Sequence, residues 1–201
     1  MNEDEISAYH EAGHIIVNAT IGRRVKCSEI YHRRFTDFFQ ADEPITLPQN
    51  TIAGVVYQLP VKSKEISCEE ATLKAHSARS LEEYLITLLA GVEASLIYAE
   101  VQGWDTVQIS AEMEESEDMK MMQLLIAGRK RHDERHELIN DAKWRARTLL
   151  QKADIWSAVC SFALLLIQEQ KFQWYSLPEN YKQIINNLIE RGTKNSQTQF
   201  P

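Results

Sequence analysis

Two histidines four residues apart, with a glutamate directly after the first, stand in the stretch Ser7 to Val17, SAYHEAGHIIV. On a helix His10 and His14 project from one face one turn apart, so their imidazoles can hold one ion at about 2.0–2.1 Å each. Glu11 lies about 100° round the helix from His10, where it can reach a water activated by that ion without ligating the ion itself. In this His-Glu-x-x-His arrangement zinc lowers the pKa of a water to about 7 and the carboxylate takes its proton. Ala12 and Gly13 are small and leave room for a second backbone or a substrate. Zinc hydrolases usually take three protein ligands, and spacing leaves two carboxylates open as the third. Glu93 borders the apolar stripe of a long helix, where an unpaired carboxylate is costly. Asp118 follows Ser116 and Glu117 in an acidic run that also reads as a solvated helix start favoured by the helix dipole.

These residues need elements to position them. The opening stretch predicts a helix over about residues 4–19, with Ile6, Gly13, Ile16 and Val17 near one side. Val25 to Tyr31 and Thr51 to Leu59 read as strands, separated by a polar loop holding Pro44 and Pro48. A second long helix is expected from Ser80, where Ser-Leu-Glu-Glu makes a capping box with Glu83. Leu81, Leu85, Leu88, Val92 and Leu96 then recur at helical spacing. A third helix is expected from about Glu114 to Ala127, stopping at Gly128. The last third reads as helices throughout. Leu138, Ala142, Leu149 and Leu150 line one, Asp154 suits the N-cap of the next, and the last runs from near Pro178 to Gly192. The predicted class is mainly α (α+β): a helical domain with a small β-sheet beside the His-Glu-x-x-His helix and a C-terminal helical bundle. It forms one domain over residues 1–192, and residues 193–201 read as a polar, disordered tail.

Composition bounds the function. Apolar residues make up 44% and charged residues 25% of 201, which suits an ordinary globular domain with a real core. The net charge of −7 argues against a nucleic-acid partner and against an anionic membrane surface. Cys27, Cys68 and Cys160 are widely spaced and odd in number, which reads as reduced, intracellular thiols. The acidic start is the reverse of a signal peptide. The most apolar stretch, Tyr84 to Ala99, is interrupted by Glu93 and is expected to fall short of a spanning helix. Together these predict a cytoplasmic protein.

Other chemistry-bearing residues carry less. His132 and His136 repeat the four-residue spacing, but Arg129, Lys130, Arg131 and Arg135 crowd them with positive charge, so a solvated helix start is the better reading. His32 and His76 lack partners at ligand spacing, and the four tryptophans read as core packing.

The sequence resembles the peptidase domain of FtsH-type ATP-dependent zinc metalloproteases. SAYHEAGHIIV is similar to the opening of that domain, TIAGVVY (Thr51 to Tyr57) to its strand with a central glycine, and LITLLAGVEASLIYAE (Leu85 to Glu100) to its long Leu-rich helix. SEDMKMMQLL (Ser116 to Leu125) resembles the segment whose Asp completes the zinc site, and LINDAKWRARTLLQ (Leu138 to Gln151) the closing helices. The resemblance implies zinc held by His10, His14 and Asp118, with Glu11 as general base. It also implies that the strand carrying Gly54, Val55 and Val56 pairs with an extended peptide. No Gly-x-x-x-x-Gly-Lys-Ser/Thr phosphate loop is present, so the expected protein is a peptidase without its own ATPase. Its substrates would be peptides or unfolded segments, and its candidate partners a separate ATPase or further copies of itself. The alternative, from another class, is a catalytically inactive module of the same fold that serves as a binding or regulatory protein. Glu11 argues for retained catalysis; Ser95 and Leu96, where the family carries a Glu pair, argue for its loss.

Overall fold

From Ala8 to Ala19 every residue except His10 is buried, so the first helix must be covered on nearly all sides. The computed structural model describes residues 3–22, 25–30, 53–57, 78–114, 118–119, 122–123, 126 and 132–198. Among them six helices carry the fold: α1 (Glu3–Thr20), α2 (Ala78–Gln102), α3 (Thr106–Glu114), α4 (His132–Leu150), α5 (Ala153–Glu169) and α6 (Glu179–Thr198). Residues 118–119, 122–123 and 126 are helical as well. Helix α1 packs against α2, α5 and α6, while α2 packs against α1 on one side and α4 on another.

Small residues set the closest of these approaches. A Cβ on Gly13 would stand 2.5 Å from the Ala90 carbonyl oxygen and 2.7 Å from Ala94 Cβ. The absence of that atom lets α1 and α2 touch backbone to backbone. The main core then runs from Ile15, Ile16 and Val17 to Phe162 and Leu166 of α5 and Ile185 and Leu188 of α6. A second cluster joins Leu85, Leu88 and Leu89 of α2 to Met122, Ile126 and to Ala142 and Ala146 of α4. A third joins Ile6, Val92, Leu96 and Ala99 to Ile109 of α3.

The expected α+β class is corrected to helical. Among the described residues, every buried side chain except that of Leu177 sits on helical backbone, so the core is helix on helix. Val25–Ile30, Ala53–Tyr57 and Lys171–Gln173 (β1, β2 and β3) pair their backbones antiparallel in the order β2-β1-β3. These are segments of six, five and three residues. The expected loop with Pro44 and Pro48, and the ends of both expected strands, lie outside the described residues.

Several helix ends differ from those expected. Helix α2 starts at Ala78, so Ser80 is inside it and does not cap it. It stops in a Schellman turn: Gly103 has φ +70°, its N–H donates to Glu100 O at 3.1 Å, and the Trp104 N–H donates to Ala99 O at 2.9 Å. Asp105 Oδ1 accepts the Val107 N–H at 2.9 Å and so starts α3, a helix that the sequence pattern did not predict. Asp154 lies in the first turn of α5, and the N-cap is Lys152. Helix α6 continues through Gly192 to Thr198, which corrects both the expected stop and most of the expected tail. Gly192 is explained by proximity, since a Cβ there would stand 2.2 Å from Thr20 O.

Residues Glu82 to Gln102 are long and apolar enough to cross a membrane by length and composition, which corrects the contrary expectation. Most of their apolar side chains pack inside the protein, as in a core helix, although Val101 is exposed, and Glu93 is fully buried through an ion pair with Arg147 at 3.0 Å. Trp144, expected in the core, is exposed.

Candidate metal centre

Helix periodicity brings His10 and His14 together, and their ring centroids lie 4.7 Å apart. His14 is fixed from behind: its Nδ1–H donates to the Thr87 carbonyl of α2 at 2.8 Å. A carbonyl only accepts, so Nδ1 carries the proton and Nε2 faces the site. Such a second partner behind the ring is what orients histidines that bind metals.

The third member comes from far along the chain. Asp118 Oδ2 lies 2.9 Å from His10 Nε2 and 3.0 Å from His14 Nε2, and the two nitrogens are 3.0 Å apart. These three atoms form a nearly equilateral triangle and, once the rings give up their protons there, each offers a lone pair. Ligands of a tetrahedral ion at 2.0–2.1 Å stand about 3.3 Å apart, so an opening of a few tenths of an ångström admits one. His10, His14 and Asp118 could therefore hold a metal ion.

The electrostatics agree with a site made for positive charge. Burial holds His10 below its ordinary value, against the pull of Asp118. Burial also pulls His14 down, but the Asp118 carboxylate beside it wins and pushes it up to about 9. Burial opposes ionisation of Asp118 too, yet the charge on His14 and the hydrogen bonds from both rings hold its carboxyl well below the usual range. A proton on His14 thus neutralises Asp118 where a cation otherwise would. Glu11 is buried, and burial pushes its carboxyl up to about 8. Glu11 Oε2 has no hydrogen-bond partner, an arrangement that is costly unless a ligand or water completes it.

Of the two candidate third ligands, the fold selects Asp118. Glu93 faces α4, where it pairs with Arg147 at 3.0 Å and with Lys143 at 3.7 Å. Two contributors went unpredicted. The Thr87 carbonyl left no signal, because any residue supplies one. Gly91 carried a signal as a glycine in the middle of a helix, where it costs about 0.5–1 kcal/mol relative to alanine unless something requires it. A Cβ there would stand 2.4 Å from His14 Nε2 and 2.7 Å from His10 Nε2. Gly54, Val55 and Val56 lie on β2, paired with Glu29, Ser28 and Cys27 of β1. His136 is exposed at the start of α4. No family model matches the chain, and no curated protein matches it.

Proposed function

We infer that the protein is a zinc-dependent peptidase of FtsH-peptidase type, acting on peptides or unfolded segments. The supporting observation is the placement of Glu11. It is a buried carboxylate with one unpartnered oxygen, on the same helical turn as two histidines that converge on Asp118. His10, His14 and Asp118 hold the ion. Two imidazoles and one carboxylate are the donor set that zinc favours in hydrolases. Zinc, when bound, supplies the Lewis acidity that makes a water nucleophilic near neutral pH.

Glu11 takes the proton from that water and passes it to the departing amine. Its raised pKa describes the site without a cation, and a positive ion beside it draws the carboxyl down into the ionised form that a base requires. Among the described residues β2 is one of the two outer strands, so the backbone of Gly54, Val55 and Val56 can accept an extended peptide as one more strand. The SAYHEAGHIIV resemblance supports the same reading. The test is cleavage of a casein by zinc-loaded protein. Cleavage that stops on chelation and in Glu11→Gln is expected, whereas stoichiometric zinc without cleavage would mean a binding module.

A further inference from the structure

The face of α2 turned toward α1 carries two features one helical turn apart, and both act on the same pair of rings. At Thr87 the backbone carbonyl clamps His14 Nδ1 at 2.8 Å. At Gly91 there is no side chain, and the three nearest heavy atoms to a Cβ built there are His14 Nε2 at 2.4 Å, His10 Cε1 at 2.7 Å and His10 Nε2 at 2.7 Å. All three belong to the imidazoles. Gly13, the other glycine of this interface, differs: its missing Cβ would meet Ala90 O, Ala90 C and Ala94 Cβ, which are atoms of the packing and not of the site. One glycine therefore serves helix contact and the other serves the ligand nitrogens.

We propose that Gly91 is a positioning residue for the metal: it keeps open the space in which the two ligating nitrogens converge, so that any side chain at position 91 excludes the ion. The proposal rests on the metal-centre reading above. It does not require that the centre cleave peptides. Carbon and nitrogen in non-bonded contact stay more than 3 Å apart, so a methyl group at 91 must displace at least one ring. His14 has little freedom to yield, because it is buried and tied to Thr87. His10 is the ring that moves, and the triangle with Asp118 opens on that side.

The test measures zinc(II) affinity by competition with a chromophoric chelator, and follows the visible spectrum of cobalt(II) titrated into the same protein. Gly91→Ala is expected to bind zinc at least about 100-fold more weakly than the parent, the upper range for loss of a group that orients a ligand. It should also lack the parent's tetrahedral cobalt bands. Parental zinc affinity in Gly91→Ala would overturn the proposal and leave the peptidase reading intact. Zinc binding by the parent without peptide cleavage would do the reverse. A second comparison covers the case in which Gly91→Ala folds poorly. In a His10→Ala, His14→Ala background the same substitution meets no imidazole, and it should raise the melting temperature measured in EDTA. If it lowers the melting temperature there as much as in the parent, the glycine serves backbone packing and the proposal fails.

Discussion

Asp118 Oδ2 stands 3.0 Å from His14 Nε2, although 104 residues separate them along the chain. Glu93 lies nearer in sequence and is completely buried, but it points to Arg147. The two carboxylates thus have separate tasks, and substitution should separate them. Asp118→Ala is expected to lower zinc affinity by more than about 100-fold. Glu93→Gln should retain stoichiometric zinc after dialysis and lose only melting temperature. Metal analysis of both variants decides the point, and the opposite pattern would move the third ligand to Glu93.

Glu11→Gln keeps the size and helical place of the side chain but removes its basicity. Zinc content should stay at the parental level, because Glu11 is not among the three converging ligands. Turnover of a casein should fall by about 10²–10⁴, the usual contribution of a positioned general base. A variant that cleaves at the parental rate would refute this role, and one that loses its zinc would make Glu11 a support of the metal.

The pH dependence of the metal-free protein has a definite sign. His14 is raised from 6.5 to about 9 in the folded state, so its pairing with Asp118 stabilises fully below 6.5 and is lost as pH rises through 9. Glu11, raised from 4.5 to about 8, adds the same sign. Zinc displaces the proton of His14 and takes over its role. The melting temperature of EDTA-stripped protein should therefore fall between pH 6.5 and 9, and the gap to zinc-loaded protein should widen over the same range. Equal slopes for the two forms would count against a shared site for proton and metal.

Arg147 joins α4 to α2 through Glu93 at 3.0 Å and through Glu100. Arg147→Ala leaves Glu93 buried with Lys143 at 3.7 Å as its remaining cation among the described residues. A loss of about 3 kcal/mol in urea unfolding is expected, because an uncompensated buried charge remains. Replacing both partners, as Glu93→Leu with Arg147→Met, should restore most of it, since an apolar pair of similar volume often does as well as a buried ion pair. Failure of the double replacement to recover stability would mean that the charges organise the helix crossing.

Helix existence was legible where a sustained pattern met burial. The periodic leucines of α2 and the apolar run after His14 predicted long helices, and long helices are there. Helix ends were less legible because glycine has two uses. Gly103 does stop a helix, in a left-handed turn. Gly192 lies within one, and its missing Cβ accommodates Thr20 O. The Gly103-Trp104-Asp105 corner held the signals of a stop followed by a cap, and those signals identify α3.

The sequence by itself determined that His10, Glu11 and His14 share one helix, because their spacing is local and the helical period alone places them. It also determined that this helix has an apolar side, with Ile6, Gly13, Ile16 and Val17 near it. Only the tertiary structure decided which carboxylate completes the triangle, because a contact across 104 residues depends on packing and no local period encodes it. The tertiary structure also decided that the described core, apart from Leu177, is helix on helix, and that Thr87 and Gly91 of α2 shape the histidine pair. A backbone carbonyl and an absent side chain acquire those roles only when another helix is laid against them.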